Sequence, residues 1–119
     1  MRILTKREVD IMRVLWDSTE SISSRDITRI NPEISQNTVQ ALLRKLVDKG
    51  FIKTDGKKST GTIYARKYRP IVSEKDYFLS QITPKKFQKF INAYISENNN
   101  ENELKELERL VRKKLNEIK

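Results

Sequence analysis

Apolar residues recur at helical spacing in three stretches before residue 50 and two after residue 80, with a short alternating segment between. The first stretch opens on Thr5-Lys6-Arg7-Glu8, the Ser/Thr-x-x-Glu order of a capping box. Val9, Met12, Leu15 and Trp16, with Val14 more loosely, then form one stripe to about Asp17. Ser21-Ile22-Ser23 is enough for a minimal strand. Ser23 or Ser24 can cap a brief helix, SRDITRI, which must stop before Pro32 because a residue preceding proline avoids the helical region. Ser35 caps a third helix whose inward face is expected to be Val39, Leu42, Leu43, Leu46 and Val47.

After Gly50 the period changes. Phe51 and Ile52 open a strand, and Thr62-Ile63-Tyr64-Ala65 returns as its partner, with Gly56 and Gly61 expected to bracket a tip made of Lys57-Lys58-Ser59-Thr60. Helix, strand, helix, helix, hairpin is the order of a winged helix-turn-helix. The expected fold class is therefore mainly α with a small β wing. Trp16, Leu15, Ile27, Leu42, Leu46 and Phe51 are the expected centre of its core.

Pro70-Ile71-Val72 reads as a linker. Residues 1–72 carry 15 basic and 8 acidic side chains, net +7, whereas residues 73–119 carry 10 and 8, net +2. The expected division is a DNA-binding domain over 1–72 and a helical dimerisation domain over 73–119. In the second part Ser73 caps a helix to about Ile82, and Thr83 with Pro84 at the first helical position starts another. Asn100 and Glu103 form an N-cap and N3 pair for the last helix. This segment is too short for a core of its own, so its helices either fold back on the winged helix of their own chain or interlock with those of a twin, and the twin is the favoured reading. Phe87, Phe90, Ile91, Tyr94 and Ile95 with Leu104, Leu107, Val111, Leu115 and Ile118 are the expected dimerisation residues.

Charge sharpens this picture. Ser35–Arg69 holds nine Lys/Arg against Asp48 and Asp55, so +7 of the chain's +9 lies there. A strongly basic chain favours an acidic polymer as partner. With Val39, Leu42 and Leu46 inward, 100° per residue turns Asn37, Ala41 and Arg44 outward, with Gln40 and Lys45 at the flanks. Asn and Gln suit an adenine edge, Arg suits guanine, and Ala fits beside a thymine methyl. Thr38, near the helix N-terminus, suits a phosphate. Lys57, Lys58 and Thr60 are expected to add backbone contacts from the hairpin. The face of an ordinary solvated helix would look similar, but a cationic hairpin following it would then be a coincidence.

The absence of Cys and His removes thiol chemistry, the usual zinc sites and His-based acid–base catalysis. The carboxylates are scattered among lysines and no Gly-rich phosphate loop is present, so neither an enzyme, a metal nor a cofactor is expected. Without an apolar leader or a membrane-length span, a cytoplasmic protein is expected. Two other readings stay open: a winged helix used for protein interaction, and a small-molecule-responsive regulator with Tyr77, Phe78 and Phe87 around a pocket.

LTKREVDIMRVLW, with Glu8 and Trp16, and NTVQALLRKLVDKGFI, followed by a basic hairpin ending at Tyr64, resemble the penicillinase-repressor family of bacterial regulators. That family also includes methicillin-resistance and copper-transport repressors, and so links the chain to antibiotic resistance. The resemblance implies a homodimeric repressor on a dyad operator with TACA/TGTA-type half-sites. Copper-responsive members carry a C-terminal cysteine cluster that this chain lacks. Penicillinase-type members are released when a sensor protease cuts an Asn-Phe bond in the tail; the corresponding bond here is Ala93-Tyr94, with Asn92 one place early.

Overall fold

A computed structural model describes residues 1–60 and 63–119, with only the backbone described for residues 57–60 and 63–64. The elements are α1 (Lys6–Asp17), β1 (Ile22–Ser23), α2 (Ser24–Ile30), α3 (Gln36–Asp48), β2 (Ile52–Thr60), β3 (Ile63–Pro70), α4 (Glu74–Ser80), α5 (Pro84–Glu97) and α6 (Glu101–Ile118). They form two compact units, Met1–Gln81 and Ile82–Lys119.

Local chemistry sets the helix starts. Thr5 and Glu8 close the expected capping box, and Ser23 closes a second one with Asp26. Ser35, Ser73, Thr83 and Asn100 each accept the backbone N–H three residues on. The end of α3 is a Schellman turn: Gly50 takes φ +79°, its N–H reaches the Val47 carbonyl, and the Phe51 N–H reaches that of Leu46. That turn drops Phe51 directly into the core.

In the first unit Ile11, Met12, Leu15, Ile27, Val39, Leu43, Leu46, Phe51 and Ile52 are essentially inaccessible. α1, α2 and α3 pack together, and a three-stranded antiparallel sheet in the order β1-β3-β2 closes the side. Trp16, expected at the centre, is half-buried at the rim, because its indole N–H must find an acceptor; it donates to the Val72 carbonyl at 2.9 Å. Val47, expected inward, is 39% exposed at the edge of the stripe.

Composition changes after Val72, where the expected boundary falls, yet the first unit runs on to Gln81. Tyr77 of α4 explains this. It is buried, stacks edge-on against Phe51 at 5.8 Å, and its hydroxyl accepts the Leu4 N–H at 3.0 Å. Tyr77 is thus a core residue, not the wall of a pocket.

β2 and β3 also differ from expectation. The strands extend well past Gly56, pairing Lys57 with Arg66, Lys58 with Ala65 and Thr60 with Ile63. Gly56, at φ +85°, sits in a register shift between Thr54 and Lys57 rather than in a tip. Residues 57–60 therefore belong to a strand. Gly61 and Thr62, expected in the turn and returning strand, lie outside the described residues.

In the second unit α5 and α6 meet near the turn that joins them, where Tyr94 Oη and Asn98 Nδ2 both donate to Glu103. None of the described residues 82–119 is buried.

Candidate nucleic-acid interface

α3 presents one inward and one outward face, as its pattern dictates. Val39, Leu42, Leu43 and Leu46 are buried, while Asn37, Thr38, Gln40, Ala41, Arg44 and Lys45 are all exposed. The Thr38 hydroxyl accepts from Ser35 at 2.9 Å, which positions it beside the open N-terminal amides of the helix.

Three residues tie α3 to α2. Thr28 Oγ1 donates to Gln36 Oε1 at 2.6 Å, and Gln36 Nε2 donates to Ser24 Oγ at 2.8 Å. These bonds join the first residues of both helices, so the two helix N-termini are held in fixed relation.

Gln40 and Arg44 lie in a concave surface of about 510 Å³ that the α2 start and the sheet complete with Ser24, Arg25, Gln36, Thr54, Arg66 and Tyr68. The structure thus brings two further arginines to the predicted base-reading side chains. Sequence pattern alone gives neither Arg25 nor Arg66 a base-side position. Their signal was a cation in the first turn of a short helix and one within an alternating strand, and neither spacing predicts convergence. Val47 lines the same surface, which accounts for its exposure.

The side chains of Lys57, Lys58 and Thr60 lie outside the described residues; their backbones form the outer part of β2. At the strand base, Asp55 accepts from Ser21 and sits 3.5 Å from Arg69. The Ser21 hydrogen bond, aided by the charges of Arg69, Lys53 and Lys67, holds its carboxyl below the usual value despite partial desolvation. Lys49 is likewise occupied: its ammonium lies 2.7 and 2.8 Å from both oxygens of Glu8. Two of the nine cations counted in Ser35–Arg69 therefore serve the fold. Among the described side chains, Arg44, Lys45, Lys53, Arg66 and Lys67 remain as candidate cations for the interface.

Burial pushes the Glu8 carboxyl up, but hydrogen bonds from Lys49 and Thr5 together outweigh it and leave it below its ordinary value near 4.5. Glu8 is 1% exposed and also accepts the Thr5 N–H, so one side chain caps α1 and anchors the end of α3.

The penicillinase-repressor family model matches residues 4–113, nearly the whole chain. The chain belongs to the penicillinase-repressor family. Family and fold are those of winged-helix transcriptional regulators that bind DNA, not of enzymes. A search of curated proteins finds no significant match. Among solved structures, a MepR mutant from a multidrug-resistant S. aureus clinical isolate is 17% identical at TM-score 0.53, over 97% of this chain and 79% of that one. A multiple antibiotic-resistance repressor from Listeria monocytogenes is 22% identical at TM-score 0.52, over 97% and 75%. These likenesses show the fold. The peroxide sensor PerR of Streptococcus pyogenes is 26% identical at TM-score 0.45; the match covers 58% of this chain and only 48% of that protein's length. Among the described residues of this penicillinase-repressor family member, no helix is long and apolar enough to cross a membrane.

Proposed function

We propose that this repressor acts as a homodimer on a two-fold DNA operator, with α3 in the major groove and the β2–β3 hairpin along the flanking backbone. The observation that carries the reading is the convergence of Gln40 and Arg44 with Arg25 and Arg66 on one concave surface. Asn37, Gln40, Ala41 and Arg44 read bases, and Thr38, Lys45, Lys57, Lys58 and Thr60 hold phosphates. The resemblance of Asn37–Lys45 to the family's reading helix supports TACA/TGTA-type half-sites.

The first unit is the DNA-binding part and the second the dimerisation part. Phe87, Phe90, Ile91, Tyr94, Ile95, Val111, Leu115 and Ile118 are exposed and Leu104 and Leu107 half-covered, an apolar load that a second copy would cover. Binding takes place in the cytoplasm.

Release from DNA by cleavage at Ala93-Tyr94 completes the proposal. Both residues are exposed, but the bond lies in mid-α5, so a sensor protease must first open a helical turn. Selection of bound sequences from random DNA by the purified protein tests the core of the reading. A dyad of TACA/TGTA type is expected; an asymmetric motif or none would overturn it.

A further inference from the structure

The charge on α6 is not mixed evenly. Its first half, residues 101–108, has Glu101, Glu103, Glu106 and Glu108 against Lys105, net −3. Residues 109–119 have Arg109, Arg112, Lys113, Lys114 and Lys119 against Glu117, net +4. Some of this charge is paired along the helix, as Lys105 with Glu101 and Arg109 with Glu106, but all of it is solvent-exposed.

The apolar stripe has its own symmetry. Leu104, Leu107, Val111, Leu115 and Ile118 follow at intervals of three, four, four and three, which read the same from either end. Part of this stripe, with Ile95 of α5, lines an open apolar groove of about 590 Å³. A stripe that is palindromic about Val111, on a helix whose charge reverses sign near Val111, matches an inverted copy of itself.

We infer that the two subunits of the dimer pair their α6 helices antiparallel, with Val111 on the two-fold axis. This rests on the dimer reading above and adds its geometry. Leu104 then meets Ile118 of the second copy, Leu107 meets Leu115, and Val111 meets its own equivalent. At 100° per residue Glu108 and Arg112 flank the same side of the stripe, as do Glu101 and Lys119, so each acid faces a base of the other copy. A parallel pair would instead set the acidic halves side by side and the basic halves likewise, the like-charge arrangement that flanking residues of paired helices select against.

The absence of native cysteine makes single-cysteine cross-linking a clean test. Val111→Cys, Leu104→Cys and Ile118→Cys variants of the full chain are oxidised alone and as a co-refolded mixture of the last two, with the mass of each before oxidation measured by light scattering. In the antiparallel pair two Leu104 positions lie about 21 Å apart, beyond disulfide reach. Val111→Cys is therefore expected to cross-link alone, and the Leu104→Cys/Ile118→Cys mixture to give about ten times the cross-linked product of Leu104→Cys alone. Dimers in which Leu104→Cys cross-links to itself, or in which no position cross-links, overturn the antiparallel pairing while the dimer survives. Monomers throughout overturn the dimer as well.

Discussion

The two units are built from the same kind of helix and end in opposite states. α1 and α3 each carry an apolar stripe whose centre is buried, while α5 and α6 carry apolar stripes with no buried residue among those described. Amphipathic pattern alone does not decide burial. In the first unit, turns at Gly50 and Asn31 fold the stripes onto one another, and a sheet closes the remaining side. In the second, a single turn joins two helices, and a helix pair has no third wall. Most helical stability comes from tertiary packing of the apolar face, so the second unit depends on packing from elsewhere.

The largest effect that separates the units is a core deletion. Leu46→Ala, at a fully buried position, should cost about 2–5 kcal/mol against a total stability of order 5–15 kcal/mol. In denaturant unfolding this loss should be the same at every protein concentration. Leu115→Ala should instead raise the dimer dissociation constant and lower Tm by an amount that changes with protein concentration. A concentration-independent loss for Leu115→Ala would mean that the tail is packed by its own chain, and the comparison would fail.

Next in size is the Glu8–Lys49 pair, for which the second unit has no counterpart of similar burial among its described ion pairs. Removing one partner of a fully buried pair costs about 3–5 kcal/mol; Lys49 is 23% exposed and can rehydrate, so Glu8→Gln should cost about 2 kcal/mol. The pH dependence follows from the direction of the shift. The Glu8 carboxyl is held lower in the folded chain than when unfolded, so its contribution is complete above the ordinary value near 4.5 and is lost as pH falls through the folded value. Stability of the first unit should fall on acidification below about pH 4.5, and Glu8→Gln should flatten that fall. An unchanged acid limb in the variant would remove Glu8 as its source.

What could be read beforehand divides along the same line. Caps were legible because their chemistry is contained within four residues, as at Thr5, Ser35 and Asn100. The inward faces of α1 and α3 are legible from period, although the period alone does not single out Ile11, which is fully buried, and puts Val47 inside, where it is 39% exposed. Pairings distant in the chain were not legible. Nothing in the local pattern ties Glu8 to Lys49, Leu4 to Tyr77, or Arg25 to Arg66 across the groove. Gly56 misled because positive φ serves a bulge as well as a turn.

Within the first unit, the interface residues should separate by what they touch. Arg44→Ala should cost about 1–3 kcal/mol on the selected operator and little on random duplex. Arg66 and Arg25 start from the sheet and from α2 rather than from α3, which suits phosphates; Arg66→Ala and Arg25→Ala should weaken both duplexes alike and lower the slope of log K against log salt by about 1 each. Titrations at several salt concentrations, on operator and random DNA in parallel, decide between the roles. Equal losses on both duplexes for Arg44→Ala would move the reading of bases away from α3.

The smallest contrast lies in the caps, and it tests coupling rather than packing. Ser35 and Asn100 make the same bond, each side-chain oxygen accepting a backbone N–H three residues on at 3.2 Å. Replacing either by Ala should cost about 1 kcal/mol of helix stability. In Ser35→Ala that loss falls on a helix whose other contacts lie in its own unit, so it should appear as a small drop in unfolding free energy with the dimer constant unchanged. In Asn100→Ala it falls on a helix with no buried residue, so ordering α6 is part of association. Each dimer orders two such helices, so the loss should then appear as a dissociation constant about thirty times larger. If Asn100→Ala left dimerisation untouched, α6 would already be ordered in the monomer, and its lack of buried residues would need a different explanation.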